Sequence, residues 1–171
     1  MICESFEGKS PELHDPAYVA DCAALVGEVR LEPDSSVWHH ATLRADLAPI
    51  VIGRGSNVQD NACLHIDEGV GCYLGEYVTV GHGAILHACT VEDDCLIGMG
   101  AIVLDGAVIG RGSVVGAGAV VTKNTIVPPN SLVLGTPGRV VRDLGPESAA
   151  ANHRHALRYI SLAGQYRPDA E

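Results

Sequence analysis

Three histidines in the middle of this 171-residue chain, His65, His82 and His87, have the type and spacing to hold a metal ion. Neutral imidazole is a common ligand of zinc. Three such nitrogens leave one tetrahedral position open, which is the coordination of a catalytic rather than a closed structural site. Polar residues that could position water or hold subunits together lie nearby. They are Arg44 and Asp46 in Arg44-Ala45-Asp46, and Gln59 and Asp60 in Asn57-Val58-Gln59-Asp60-Asn61.

The elements that must carry these residues repeat every six positions. Val19, Leu25, Leu31, Val37 and Leu43 form one run; Val91, Ile97, Val103, Ile109, Val115, Val121, Val127 and Val133 form another. Ile52, Val58 and Leu64, then Leu74, Val80 and Leu86, continue the series with shifts of phase. Small residues such as Ala41, Ala62, Ala84, Ala101 and Ser113 sit four places after the aliphatic ones. Gly often follows the aliphatic residue directly, as at Gly53, Gly81, Gly98 and Gly116. A helix has a period of 3.6 and a plain strand a period of two, so neither explains six. Short strands with a bulky residue inside and a tight corner after each coil into a triangular prism, three hexads per coil, and each coil buries its aliphatics on its neighbours. The fold class expected is an all-β solenoid followed by a C-terminal α-helix. Residues 1–14 read as a polar lead, 15–140 as the β-helix, and 141–171 as a helical tail whose helix runs from Glu147 to Tyr166.

On this prism Leu86 lies one coil above Leu64, so His65 and His87 share a column roughly 4.8 Å apart, a separation suited to one shared ion. Leu43 lies one coil below Leu64, which adds Arg44 to the column. His82 belongs to another edge, with Gln59 and Asp60, and does not reach His65 within one chain.

The six-residue pattern from Val19 to Val133 resembles the left-handed β-helix of the hexapeptide-repeat family. That resemblance implies the handedness and a homotrimer of parallel prisms, in which His82 of one subunit would meet His65 and His87 of the next. The segments Arg44-Ala45-Asp46, Asn57-Val58-Gln59-Asp60-Asn61, Leu64-His65, Gly81-His82 and Leu86-His87 further resemble the γ-class carbonic anhydrases. The resemblance implies that His65, His82 and His87 bind Zn2+, with Fe2+ and Co2+ as other ions that accept imidazole. It implies reversible hydration of CO2 to bicarbonate by a hydroxide generated at the metal in the trimer interface. Gln59 would orient that hydroxide, Arg44 would pair with Asp60 across the subunit boundary, and Asp46 would brace a ligand or water. Two features depart from the family. Leu47 stands where well-characterised members carry a proton-shuttling Glu, and the loop after His65, Ile66-Asp67-Glu68-Gly69, is short. Asp67 or Glu68 is the expected substitute. Tyr159, on the tail helix, is expected to pack.

The same fold family includes acyltransferases, and relatives with this His triad resemble acyl-CoA thioesterases, so an acyl-CoA substrate is the alternative expectation. A non-catalytic metal-binding trimer is the third. Other classes are excluded. The net charge is −10 and Lys occurs only at Lys9 and Lys123, so no basic patch for nucleic acid or an anionic membrane exists. Gly interrupts every apolar run, which removes a membrane span. No basic n-region with an apolar h-region opens the chain, which points to a cytoplasmic protein with its six Cys reduced.

Overall fold

The computed structural model describes residues 1–167. Most of its strands are two residues long, and from Thr90–Val91 to Val120–Val121 the first residue is outward and half-buried and the second inward and fully buried. Two residues suffice because the corners, not the strands, set the period. One face of the prism stacks seven parallel strands: Tyr18–Val19, Ser36–Val37, Asn57–Val58, Thr79–Val80, Leu96–Ile97, Val114–Val115 and Ser131–Leu134. The other two faces form one continuous sheet, because Ala24–Leu31 and Thr42–Ile52 run straight through the corner between them. Beyond that corner the faces separate into the columns Cys63–His65, Ile85–His87, Ile102–Val103, Val120–Val121 and Cys72–Leu74, Thr90–Val91, Val108–Ile109, Ile126–Val127. The chain is thus a parallel β-helix, as the period predicts.

The inward residues, among them Leu25, Leu43, Leu64, Leu86, Val103 and Ile109, are solvent-inaccessible and make one continuous core. Each such side chain contributes about 1.5–3 kcal/mol by leaving water, but only against the coils above and below, so cohesion is a nearest-neighbour property. Corners turn through left-handed residues. One corner column reads His40, Asn61, Gly83, Gly100, Gly118, and another reads Ala88, Gly106, Asn124. Gly and Asn dominate because they tolerate this conformation at least cost.

The ends differ from the repeat. The lead contributes two strands, Ile2–Glu4 and Glu12–Leu13, both parallel to Ala24–Leu31. Arg139–Asp143 folds back antiparallel on Ser131–Leu134. The helix Glu147–Tyr166 lies against the seven-stranded face. Its Ser148 Oγ donates to Gly112 O at 2.7 Å and Asn152 Nδ2 to Asp94 O at 2.9 Å, which satisfies carbonyls of the coil corners. Tyr159 packs edge-on to Trp38 with ring centroids 5.6 Å apart. All six Cys are free thiols. Among the described residues, no helix is long and apolar enough to cross a membrane.

Candidate metal centre

Strand Ile85–His87 stacks on Cys63–His65 with Leu86 opposite Leu64 and His87 opposite His65. Thr42–Ile52 stacks on the other side of Cys63–His65 and sets Arg44 opposite His65. Alternation along each strand buries the Leu and turns the next residue outward. These side chains stand at the corner where the six-residue spacing breaks: Leu43 to Ile52 is nine, Leu64 to Leu74 is ten, and Leu86 to Val91 is five. The long strand bulges there over Ala24–Leu31, between Gly27 and Val29. Gly27 permits the bulge, since its φ is +74° and a Cβ would fall 2.2 Å from Ala45 O. Ala45 is the residue between Arg44 and Asp46, so this glycine shapes the backbone that presents both.

The two imidazoles converge. His65 Nδ1 lies 3.1 Å from His87 Nε2. Each ring is held on its far side by a carboxylate: His65 Nε2 by Asp46 Oδ1 at 3.3 Å, and His87 Nδ1 by Asp105. An ionised carboxylate only accepts hydrogen bonds, so each ring places its N–H on the far side. The two facing nitrogens are then both lone pairs. Two bare lone pairs at this distance repel, and a cation between them removes the repulsion. Two ligands of a tetrahedral zinc, each about 2.0–2.1 Å from the ion, lie roughly 3.3 Å apart, close to the spacing observed. The donor set therefore fits a metal, and the carboxylate behind each imidazole is the usual support of a ligating histidine.

The electrostatics agree with this assignment of protons. Burial, helped by Arg44, lowers the pKa of His65 and keeps the ring neutral, although Asp46 acts the other way. Burial works against ionisation of Asp46, but its own backbone hydrogen bond and Arg44 outweigh it and lower the pKa. The Lys123 hydrogen bond, against a burial cost and with help from His87, brings Asp105 down to about 2.

His82 stands on another corner, stacked over Asp60, which in turn is stacked over His39. Its Nδ1 meets Asp60 Oδ2 at 2.9 Å, and Asp60 Oδ1 lies 3.6 Å from His39 Nδ1. Asp60 thus turns Nε2 of His82 outward. Gly81 sets this corner, because a Cβ there would lie 2.8 Å from Met99 N. Gln59 is 3% exposed; its Nε2 donates to Asn57 Oδ1 at 3.1 Å, and Asn57 donates to Thr79 Oγ1 at 3.0 Å. The amide is locked, and Oε1 accepts no hydrogen bond from the described residues. Gln59 and His82 line an apolar cleft of about 310 Å³ that continues over Leu96 and Val114 under His155 and Tyr159 of the helix.

Arg44, Asp46, His65 and His87 are therefore brought together at one corner, and Gln59, Asp60 and His82 at another. Within one chain Arg44 pairs with Asp46 rather than Asp60. Among the described residues, no three His, Cys, Asp or Glu side chains of one chain converge as a metal set. Sequence reasoning missed Asp105 and its partner Lys123, whose Nζ lies 2.8 Å from Asp105 Oδ2. The signal was partial: 105 and 123 are one coil of eighteen apart, whereas 87 to 105 is one residue more than the seventeen that pair Leu86 with Val103.

Comparison with known proteins bears on this centre. Residues 88–123 match the family described as bacterial transferase hexapeptide (six repeats). A protein of Methanocaldococcus jannaschii named a probable carbonic anhydrase is 51% identical over 145 residues, 85% of this chain and 91% of that one. The mitochondrial gamma carbonic anhydrase 2 of Arabidopsis thaliana is 38% identical over 161 residues, 91% of this chain and 58% of that one. The crystal structure of a hexapeptide transferase family protein from Anaplasma phagocytophilum superposes with a TM-score of 0.93 at 34% identity, covering 97% of this chain and 98% of that one.

Proposed function

This chain belongs to the γ-class carbonic anhydrase family of hexapeptide-repeat proteins, and from that premise we propose that it hydrates CO2 reversibly at a metal centre shared between subunits of a homotrimer. The observation that carries the proposal is the approach of His65 Nδ1 to His87 Nε2, 3.1 Å apart, with a carboxylate beside the other nitrogen of each ring. His82, turned outward by Asp60 on a different corner, is the third ligand and comes from the adjoining subunit. Between the two corners runs an outward aliphatic ladder of Ile85, Ile102 and Val120, a surface suited to burial against a second copy. An all-imidazole set favours Zn2+; Fe2+ and Co2+ take the same ligands.

When bound, such an ion makes water acidic enough to supply hydroxide near neutral pH. The chain's own residues do the rest. Asp46 and Asp60 hold His65 and His82 in one tautomer and orientation. The locked amide of Gln59 leaves Oε1 free to accept a hydrogen bond and would orient a hydroxyl group held at the centre. The cleft beside Gln59 and His82, lined by Leu96 and Val114, suits an apolar substrate. Arg44 of one subunit, beyond its bond to Asp46, pairs with Asp60 of the next and ties assembly to site geometry. Leu47 offers no carboxylate, so the exposed Asp67 and Glu68, just past His65, carry the proton outward.

The test is stopped-flow CO2 hydration by Zn2+-loaded protein, with His82→Ala as control and light scattering for the oligomer. Hydration that depends on His82, in a particle three times the 17.8 kDa chain mass, is the expected result. A monomer, or metal content indifferent to His82, overturns the shared centre. A second reading is hydrolysis or transfer of an acyl thioester, favoured by the length of the apolar cleft. Acyl-CoA turnover that rises with chain length, in the absence of CO2 hydration, would replace the first.

A further inference from the structure

We infer that Asp105, secured by Lys123, is the positioning residue that selects the ligating nitrogen of His87 and sets the metal affinity of the centre. This rests on the metal-centre reading above and assigns a role to two side chains outside its family motifs. A histidine ring at a corner can flip to present either nitrogen. Asp105 removes that freedom, because its Oδ1 takes the Nδ1–H of His87 and leaves Nε2 as the lone pair facing His65. Its other oxygen, Oδ2, meets Lys123 Nζ at 2.8 Å. The carboxylate is thus divided between an imidazole and an ammonium and stays an acceptor on both sides.

The backbone fixes where this carboxylate stands. Gly106 N–H donates to Ala88 O at 2.8 Å and Asn124 N–H to Asp105 O at 2.9 Å. The three corners that follow His87, Asp105 and Lys123 are therefore bonded one on the next. Leu86 pairs with Val103 across the ladder, so Asp105 reaches His87 from one step along the strand rather than from directly opposite. The result mirrors the other imidazole. Arg44, Asp46 and His65 form a cation–carboxylate–imidazole series on one side of the shared gap, and Lys123, Asp105 and His87 form a second on the other. Lys123 is 65% exposed, so the Lys123–Asp105 pair contributes little to folding. Its consequence is orientation, and carboxylates behind metal-ligating histidines are worth roughly 10–100-fold in affinity.

The experiment compares wild-type protein with Asp105→Ala, Asp105→Asn and Lys123→Met. Each is stripped and refilled with Zn2+ in competition with a chelator of known affinity, and in parallel loaded with Co2+ for its visible spectrum. Asp105→Ala is expected to weaken Zn2+ binding about 10–100-fold and to shift the Co2+ bands. Asp105→Asn keeps an acceptor on Nδ1 and recovers part of the loss, and Lys123→Met loses several-fold. If Asp105→Ala does not fold, Asp105→Asn and the exposed Lys123→Met carry the same measurement. Wild-type affinity and an unchanged Co2+ spectrum in these variants overturn the inference while leaving the metal centre standing. A wild-type protein that binds neither ion overturns both.

Discussion

From Val91 to Val133 the prism advances six residues at a time without a break; from Leu43 to Val91 it does not. The regular half fills its left-handed corners with Asp94, Gly100, Gly106, Gly112, Gly118, Asn124 and Asn130. Between Leu43 and Val91 the left-handed positions are Gly55, Asn61, Gly69, Tyr77, Gly83 and Ala88, so glycine alternates there with bulkier residues. Both halves bury the same aliphatic column, so the difference lies at the corners. Where spacing is strict, a corner only turns the chain. Where a coil gains or loses residues, the corner swings side chains into positions the repeat cannot offer, and there His65, His87, Asp46 and Arg44 meet. A solenoid tolerates this because each coil answers only to its neighbours. Asp105 and Lys123 show the division is not absolute, since two corners of the regular half reach back to brace a residue of the other.

The sharpest way to break this comparison is to exchange a corner residue in each half. His82→Ala is expected to lose bound metal and more than about 100-fold of CO2 hydration with its melting temperature nearly unchanged. Met99→Ala, at the equivalent corner one coil on, changes neither; metal analysis and stopped-flow kinetics read both. Next in size is the core. Ile97→Ala destabilises by about 2–5 kcal/mol in urea unfolding and leaves metal stoichiometry intact, whereas Leu86→Ala costs about the same and also weakens metal binding, because His87 is its neighbour. A smaller effect separates the corners themselves. Ala88→Gly removes a left-handed β-carbon and gains about 0.5–1 kcal/mol. Gly106→Ala adds one that would lie 2.3 Å from Asn124 Oδ1, and destabilises by more than that. The smallest expected effect is none. Burial pushes the Cys95 thiol up to about 12, so the thiolate forms only near that pH and a disulfide reagent at pH 8 leaves Cys95 unmodified. Exposed Cys3 and Cys22 react at once; rapid labelling of Cys95 in native protein would show the regular half to be loosely packed.

Much of this was legible before any coordinates. The six-residue period placed Leu86 over Leu64, and with it His87 over His65 and Arg44, because stacking of identical coils is a local rule that spacing alone expresses. The same counting put His82 in a column with Asp60, and the helix over Glu147–Tyr166 stood out by its Ala, Leu and Arg after Gly145-Pro146. Residues 1–14 read only as a polar lead because Ile2–Glu4 and Glu12–Leu13 carry no hexad; they form strands against the open edge of Ala24–Leu31. Asp105 was passed over because Leu86 to Val91 is five residues, so Asp105 and His87 are not opposite each other in the ladder. The resemblance leads to Asp60 as the partner of Arg44; its bond to Asp46 within one chain depends on the bulged strand, which spacing does not express.

The order of residues by itself determined a triangular prism of stacked hexads and the columns in which its histidines must lie, since burial of one aliphatic side chain in every six leaves the chain no other regular way to exclude water. The tertiary structure alone decided that Nδ1 of His65 and Nε2 of His87 face each other 3.1 Å apart. That outcome depends on carboxylates arriving within hydrogen-bonding reach from an adjacent coil and from a bulged strand, and ångström distances at an irregular corner are not encoded in spacing.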